Sequence, residues 1–147
     1  MTATIIDGKQ LAEQKRVEIA NRVECLKNEG KTPGLAVILV GDDPASATYV
    51  RGKEKACHQT GIHSEVLRLP AETTEETLLT HIRRCNADDD IDGILVQLPL
   101  PPHIDEHNVI NSISPDKDVD GFHPISVGNP VIGNPGFLPC TPYGIIE

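Results

Sequence analysis

The sequence predicts an α/β fold, a mostly parallel sheet with helices on both faces (a three-layer αβα arrangement), followed by a proline-rich C-terminal segment. Three observations carry this. Leu35–Val40 and the start of the stretch Gly93–Pro102 are short, continuous aliphatic runs, the pattern of strands buried on both faces of a parallel sheet. Capped amphipathic segments separate the strand-like runs, and strand–helix–strand repeats of these lengths imply right-handed crossovers. Nine of the twelve prolines lie from Pro99 onward, so regular structure thins out there.

Taken in order, Ile5-Ile6 reads as a short first strand. Asp7 then caps a helix, with Gln10 three residues on as a variant of the capping box. Ala12, Ile19, Val23 and Leu26 share the face of that helix expected to be buried, and Gly30 and Pro33 end it. After the strand Leu35–Val40 comes Gly41-Asp42-Asp43-Pro44. Asp43 is the expected N-cap, and Pro44 takes the first helical position, where its missing N–H costs nothing. The second helix runs to Thr60 and stops at Gly61 in the left-handed conformation. Ile62–Leu69 mixes polar residues into a strand, which suits a place nearer an edge. Thr73 and Glu76 form an expected capping box for a third helix with Leu78, Ile82 and Cys85 as its buried stripe. The polar turn Asn86–Asp90 feeds the second aliphatic strand. Beyond Pro99, one short helix near Val109–Ile113 is expected amid loop. Thr141-Pro142 then opens a last helix with a capping threonine and an N1 proline.

A chain of 147 residues is long enough for one domain with a real core. The net charge of −9 argues against a nucleic-acid footprint and against an anionic membrane surface as partner. No apolar run approaches spanning length and the N-terminus lacks a signal-peptide pattern, so a cytoplasmic protein is expected. Cys25, Cys57, Cys85 and Cys140 form no C-x-x-C pair and read as reduced, buried thiols. The six histidines share no metal-ligand spacing and read as surface or loop residues. No metal site is expected.

Two features bear on chemistry. Gln97 is a polar amide at the exit of a buried strand, stiffened by Pro99, Pro101 and Pro102. It either belongs to a site at the strand's carboxyl end or only caps loop backbone groups. Tyr49-Val50-Arg51-Gly52-Lys53 lies in the second helix, with Tyr49 and Lys53 on one face that Ala56 and Cys57 extend. A lysine on a buried helix face tends toward a lowered pKa and can transfer protons near neutral pH. Alternatively, Lys53 snorkels to solvent and Tyr49 only packs. A short-chain dehydrogenase reading of Tyr49-x-x-x-Lys53 fails, because no Gly-rich phosphate loop follows the first strand. Asp116-Lys117-Asp118-Val119-Asp120-Gly121 mimics a calcium loop, but Val127 stands where a bidentate Glu is needed. A turn presenting one functional carboxylate fits better.

Their joint order is more specific than any one of them. Pro44-Ala45-Ser46 leads into Tyr49-x-x-x-Lys53. Asn86-x-Asp88 precedes Ile94-Leu95-Val96-Gln97-Leu98-Pro99-Leu100, and Asp116–His123 and Pro139-Cys140-Thr141-Pro142 follow. This series, over essentially the whole chain, resembles the bifunctional methylenetetrahydrofolate dehydrogenase/methenyltetrahydrofolate cyclohydrolase family. Thr77 is a small departure, where the family tends to carry Glu, Gln or Lys. The resemblance implies a tetrahydrofolate-binding catalytic domain over 1–140, with 141–147 starting a connecting helix to an NADP-binding Rossmann domain that this chain lacks. The alternative is a stand-alone folate-binding or regulatory module.

The resemblance also implies roles. Lys53 is the proton-transfer residue of the hydrolytic step and Gln97 orients its amine. An ammonium beside a cationic methenyl substrate would be repelled, which favours the neutral amine while that form is bound. Tyr49, Val50, Arg51, Gly52, Lys53, Val96, Gln97, Leu98 and Asp120 form the expected folate-binding set. Within it, Tyr49 offers an aromatic face and Asp120 holds the amino-pyrimidine edge of the pterin. The implied cofactor is NADP, with no cofactor-binding residue expected in this chain, and the implied partners are a folate substrate and, for the longer protein, a second copy in a homodimer.

Overall fold

The structure, a computed structural model, describes residues 6–147. Three parallel strands form its sheet: β1 (Gly34–Val40), β2 (His63–Leu69) and β3 (Gly93–Val96), in the order β2-β1-β3. Val37 of β1 pairs with Val66 on one side and Leu95 on the other. The central β1 is buried along nearly its whole length and β3 throughout, as their unbroken aliphatic sequences demand. β2, with its interspersed polar residues, lies at the edge as expected. Ile5 of the expected first strand lies outside the described residues, and Ile6 is in no strand.

The helices are α1 (Gly8–Asn28), α2 (Pro44–Thr60), α3 (Glu75–Ala87), α4 (Glu106–Ser112), α5 (Pro124–Val131) and α6 (Cys140–Ile146), with a 3-10 turn at Pro115–Lys117. They cover both faces of the sheet. On one face Val37, Leu39 and Leu95 meet Val50 of α2, and α1 lies against α2 outside it. On the other, Ala36, Ile38, Val40, Ile94 and Val96 meet Leu78, Ile82 and Cys85 of α3, with Val109 and Ile113 from the α4 region completing the cluster. The strand period of two sends alternate residues of β1 to these two cores.

Local signals set most boundaries. Asp7 accepts the N–H groups of Lys9 and Gln10 at 3.1 and 3.0 Å, and Asp43 accepts that of Ser46 at 2.7 Å. Gly61 ends α2 at φ 77°. Other expectations are corrected. The cap of α3 is Thr74, which accepts from Thr77 N at 3.2 Å. Thr73 is held instead in the preceding turn, its N–H bonded to Pro70 O, and Glu76 pairs with Arg83 on its own helix. On α1 only Val23 is buried, while Ile19 and Leu26 are exposed, because α2 covers a single strip of that long helix. The proline-rich region holds more helix than expected. Pro124 sits at the N-terminus of α5, where it is tolerated, and Pro130 near its end. α6 begins at Cys140 with Pro139 in the cap position, so Thr141 is not the cap. Only Cys57 and Cys85 are buried; Cys25 and Cys140 are exposed, and all four are free thiols. His123 is buried rather than superficial, because its ring caps α5, with Nδ1 accepting Ile125 N–H at 3.1 Å.

Two side chains fix the segment that reaches the site. Asn86, at the end of α3, donates to Ser112 O at 2.7 Å and accepts from Ser114 N at 2.9 Å. Lys117 Nζ donates to Cys85 O and Asp88 O at 3.1 and 2.7 Å, which satisfies carbonyls at the C-terminus of α3. Both pull the chain after α4 back against the sheet. Gly93 admits it: a Cβ there would meet Val119 Cγ1 at 2.5 Å.

Candidate functional site

The site is built at the carboxyl ends of β1 and β3. The backbone N–H of Gln97 donates to Ile38 O at 2.8 Å, carrying the ladder one residue past β3 and fixing where the side chain begins. Its Nε2 donates to Leu98 O at 2.7 Å, ahead of the cis Leu98–Pro99 peptide. Its Oε1 accepts from Lys53 Nζ at 3.1 Å. The amide therefore does both things the sequence left open, capping a loop carbonyl with one end and engaging a side chain with the other.

Lys53 comes from α2, 44 residues away in sequence. The helix is held on the sheet by fully buried Val50 and buried Cys57, and Lys53 lies half-buried on the flank beside them. Among the described residues Lys53 forms no ion pair; its partner is a neutral amide. Tyr49, one turn earlier, is 67% exposed, so its ring is open to a ligand rather than spent on packing.

The third component is the segment after the 3-10 turn. Asp120 is half-buried, and desolvation pushes its carboxyl above the ordinary range. The charge of Asp118 adds to that rise, while Lys53 opposes it. Asp120 lines a small cleft with Val96, Leu98, Ile110, Ile113, Phe122 and the neighbouring Asp118. Cys140, at the start of α6, donates its S–H to Val119 O at 3.1 Å. Desolvation, and next the Asp120 carboxylate, push this thiol up.

The structure thus brings Lys53 and Gln97 into contact, with Asp120, Val96 and Leu98 around one cleft. It does not turn every expected residue toward them. The side chain of Val50 is committed to the core, and Arg51 is exposed with Nη2 on Thr48 Oγ1 at 2.9 Å. Gly52 lines a groove between α2 and α1 together with Arg16 and Ala20. The reason is helical rotation, since only residues three or four apart share a face and the three between Tyr49 and Lys53 point elsewhere. Sequence reasoning singled out the 116–121 turn but missed Asp118, 2% exposed, as its anchor. The Asp-x-Asp pattern was the available signal, and it did not say which acid faces inward.

A parallel sheet covered on both sides, with a polar constellation where its strands end, defines the class: an α/β domain with its polar groups gathered at the carboxyl edge of the sheet, where such folds place their sites. More narrowly, the chain belongs to the tetrahydrofolate dehydrogenase/cyclohydrolase family, whose catalytic-domain model matches residues 6–120. It is 59% identical over its whole length to a bifunctional protein FolD of Brevibacillus brevis, of which it covers 52%. The crystal structure of the bifunctional FolD methylenetetrahydrofolate dehydrogenase/cyclohydrolase of Campylobacter jejuni superposes with a TM-score of 0.95 at 50% identity, over 97% of this chain and 51% of that one. The Trypanosoma brucei dehydrogenase-cyclohydrolase, solved with NADP cofactor and inhibitor, gives a TM-score of 0.95 at 37% identity, over 100% of this chain and 51% of its own. The chain thus spans about half the length of the relatives it matches.

Proposed function

We propose that this chain is the folate-binding catalytic half of an enzyme that oxidises 5,10-methylenetetrahydrofolate to the methenyl form with NADP and hydrolyses that product to 10-formyltetrahydrofolate. The observation that carries the reading is the 3.1 Å bond from Lys53 Nζ to Gln97 Oε1. A module that only bound folate would have no use for an amine held by a neutral amide at the open end of its sheet.

The hydrolysis needs what this arrangement offers. Water adding to the cationic methenyl carbon must lose a proton, and a ring nitrogen must gain one as its bond to that carbon breaks. Lys53, as the free amine, takes the first proton and returns one to the leaving nitrogen. Gln97 Oε1 holds the amine in place through both steps. Tyr49 supplies a ring face for the folate, and Asp120 accepts from the two donors of the amino-pyrimidine edge. Val96 and Leu98 give the cleft an apolar wall.

The turn after β1 does not fit the pyrophosphate of NADP. The turn after β1 is Gly41-Asp42-Asp43-Pro44, and Asp43 caps α2 with a carboxyl held low by the Ser46 N–H. A carboxylate already occupying a helix N-terminus repels a pyrophosphate there. In this reading residues 141–147 begin the connection to a domain that carries the cofactor, and this chain's part in the oxidation is to place the folate carbon. The same reading makes the longer protein a cytoplasmic homodimer; for location, the structure contributes only that no helix among the described residues is long and apolar enough to cross a membrane.

The test is Lys53→Ala in the full-length protein. Hydrolysis of 5,10-methenyltetrahydrofolate is expected to fall by at least about 10²-fold, the usual worth of a proton-transfer group, with the circular dichroism spectrum unchanged. Near-wild-type hydrolysis would remove Lys53 from the chemistry.

A further inference from the structure

The proposed chemistry uses Asp120 and leaves its neighbour Asp118 without a role. Asp118 is 2% exposed, and a carboxylate that deep needs a partner. Its partner is local: Oδ2 accepts the backbone N–H of His123 at 2.8 Å. That bond closes a ring over residues 118–123, which holds Asp120.

The ring is fixed on every side. Asp118 bridges Ile94 in the parallel sense, which sets the ring against β3. Lys117, just before it, is bonded to the carbonyls at the end of α3. His123, at its close, caps α5. Inside it Gly121 takes φ 70°, and a Cβ there would lie 2.8 Å from Leu138 C and Pro139 N, so the ring is pressed against the approach to α6.

We propose that Asp118 is a positioning residue for folate binding: its buried carboxylate, by accepting the His123 N–H, closes this ring and holds Asp120 at the cleft that both residues line. The proposal rests on the reading of Asp120 as the carboxylate that binds the pterin. Asp118 also acts through charge. The groups that face Asp120 are Lys53 from α2, Cys140 from α6 and Asp118 within the ring, and of these Asp118 raises the Asp120 carboxyl while Lys53 lowers it.

The experiment separates geometry from charge in the full-length protein hydrolysing 5,10-methenyltetrahydrofolate. Asp118→Ala removes the acceptor and is expected to raise KM about tenfold, the worth of one buried hydrogen bond, with kcat within about twofold. Asp118→Asn keeps an acceptor oxygen and loses the charge. It is expected to hold KM within about threefold of wild type and to move the acid limb of kcat/KM to lower pH, since a like charge beside Asp120 is gone. Asp120→Ala is the control: a wild-type KM there overturns the pterin-binding reading of Asp120. A wild-type KM in Asp118→Ala beside a raised one in Asp120→Ala overturns the positioning role alone, as does a fall in kcat with KM unchanged. Should Asp118→Ala not fold, Asp118→Asn decides: a KM raised about tenfold or more although the acceptor oxygen is kept overturns the proposal.

Discussion

Asp120 couples stability to function in this molecule. Its carboxyl titrates above the ordinary range because burial disfavours the anion, with Asp118 adding and Lys53 opposing. In the unfolded chain that burial is gone, so its unfolded pKa is the lower one. Stability is then full below the ordinary carboxylate range, where both states are protonated, and is lost as pH rises through the raised folded value. Asp120→Asn removes that cost. It is expected to raise Tm at neutral pH, with the gain shrinking toward zero at about pH 3. Thermal melts at the two pH values check this; equal Tm at neutral pH would falsify it. Of the residues read from the sequence, Lys53 and Gln97 are in contact. Spacing alone could not join them, because the contact crosses from a helix to a strand end 44 residues on. Val50, Arg51 and Gly52 belong to the folate-binding set that the resemblance implies, and their directions follow from a helical turn that places neighbours on different faces.

At the level of elements, capping chemistry located α1, α2 and the stop at Gly61, because those signals are satisfied within a few residues. The cap of α3 lies one residue beyond the expected Thr73. Thr73 and Thr74 carry the same side chain, and the choice fell to a turn bond from Thr73 N to Pro70 O. α5 was missed since a rule counting prolines does not see that Pro124 occupies a tolerated first position. The energetics of α3 divide between packing and polar contacts. Leu78→Ala opens a cavity in a fully buried cluster and is expected to destabilise by about 3 kcal/mol. Asn86→Ala loses the bonds to Ser112 O and Ser114 N, about 2 kcal/mol. Urea unfolding of the two variants checks both, and an Asn86→Ala midpoint equal to wild type would show that those bonds hold nothing in place.

For the whole molecule, the proposed division of labour gives an outcome for the chain by itself. Purified residues 1–147 are expected to show no NADP-dependent oxidation of 5,10-methylenetetrahydrofolate, and turnover at saturating cofactor, followed by absorbance of the reduced nicotinamide, would contradict the reading. The sequence by itself determined the αβα class, the edge place of β2 and the family, since aliphatic runs, caps and motif order are written in consecutive residues. Only the tertiary structure decided that Gln97 serves both a loop carbonyl and Lys53, that Asp118 is buried on the His123 N–H beside the half-buried Asp120, and that most of α1 stays uncovered. Each of those depends on groups distant in sequence competing for the same space and the same hydrogen bonds, and a linear pattern does not record which of them wins.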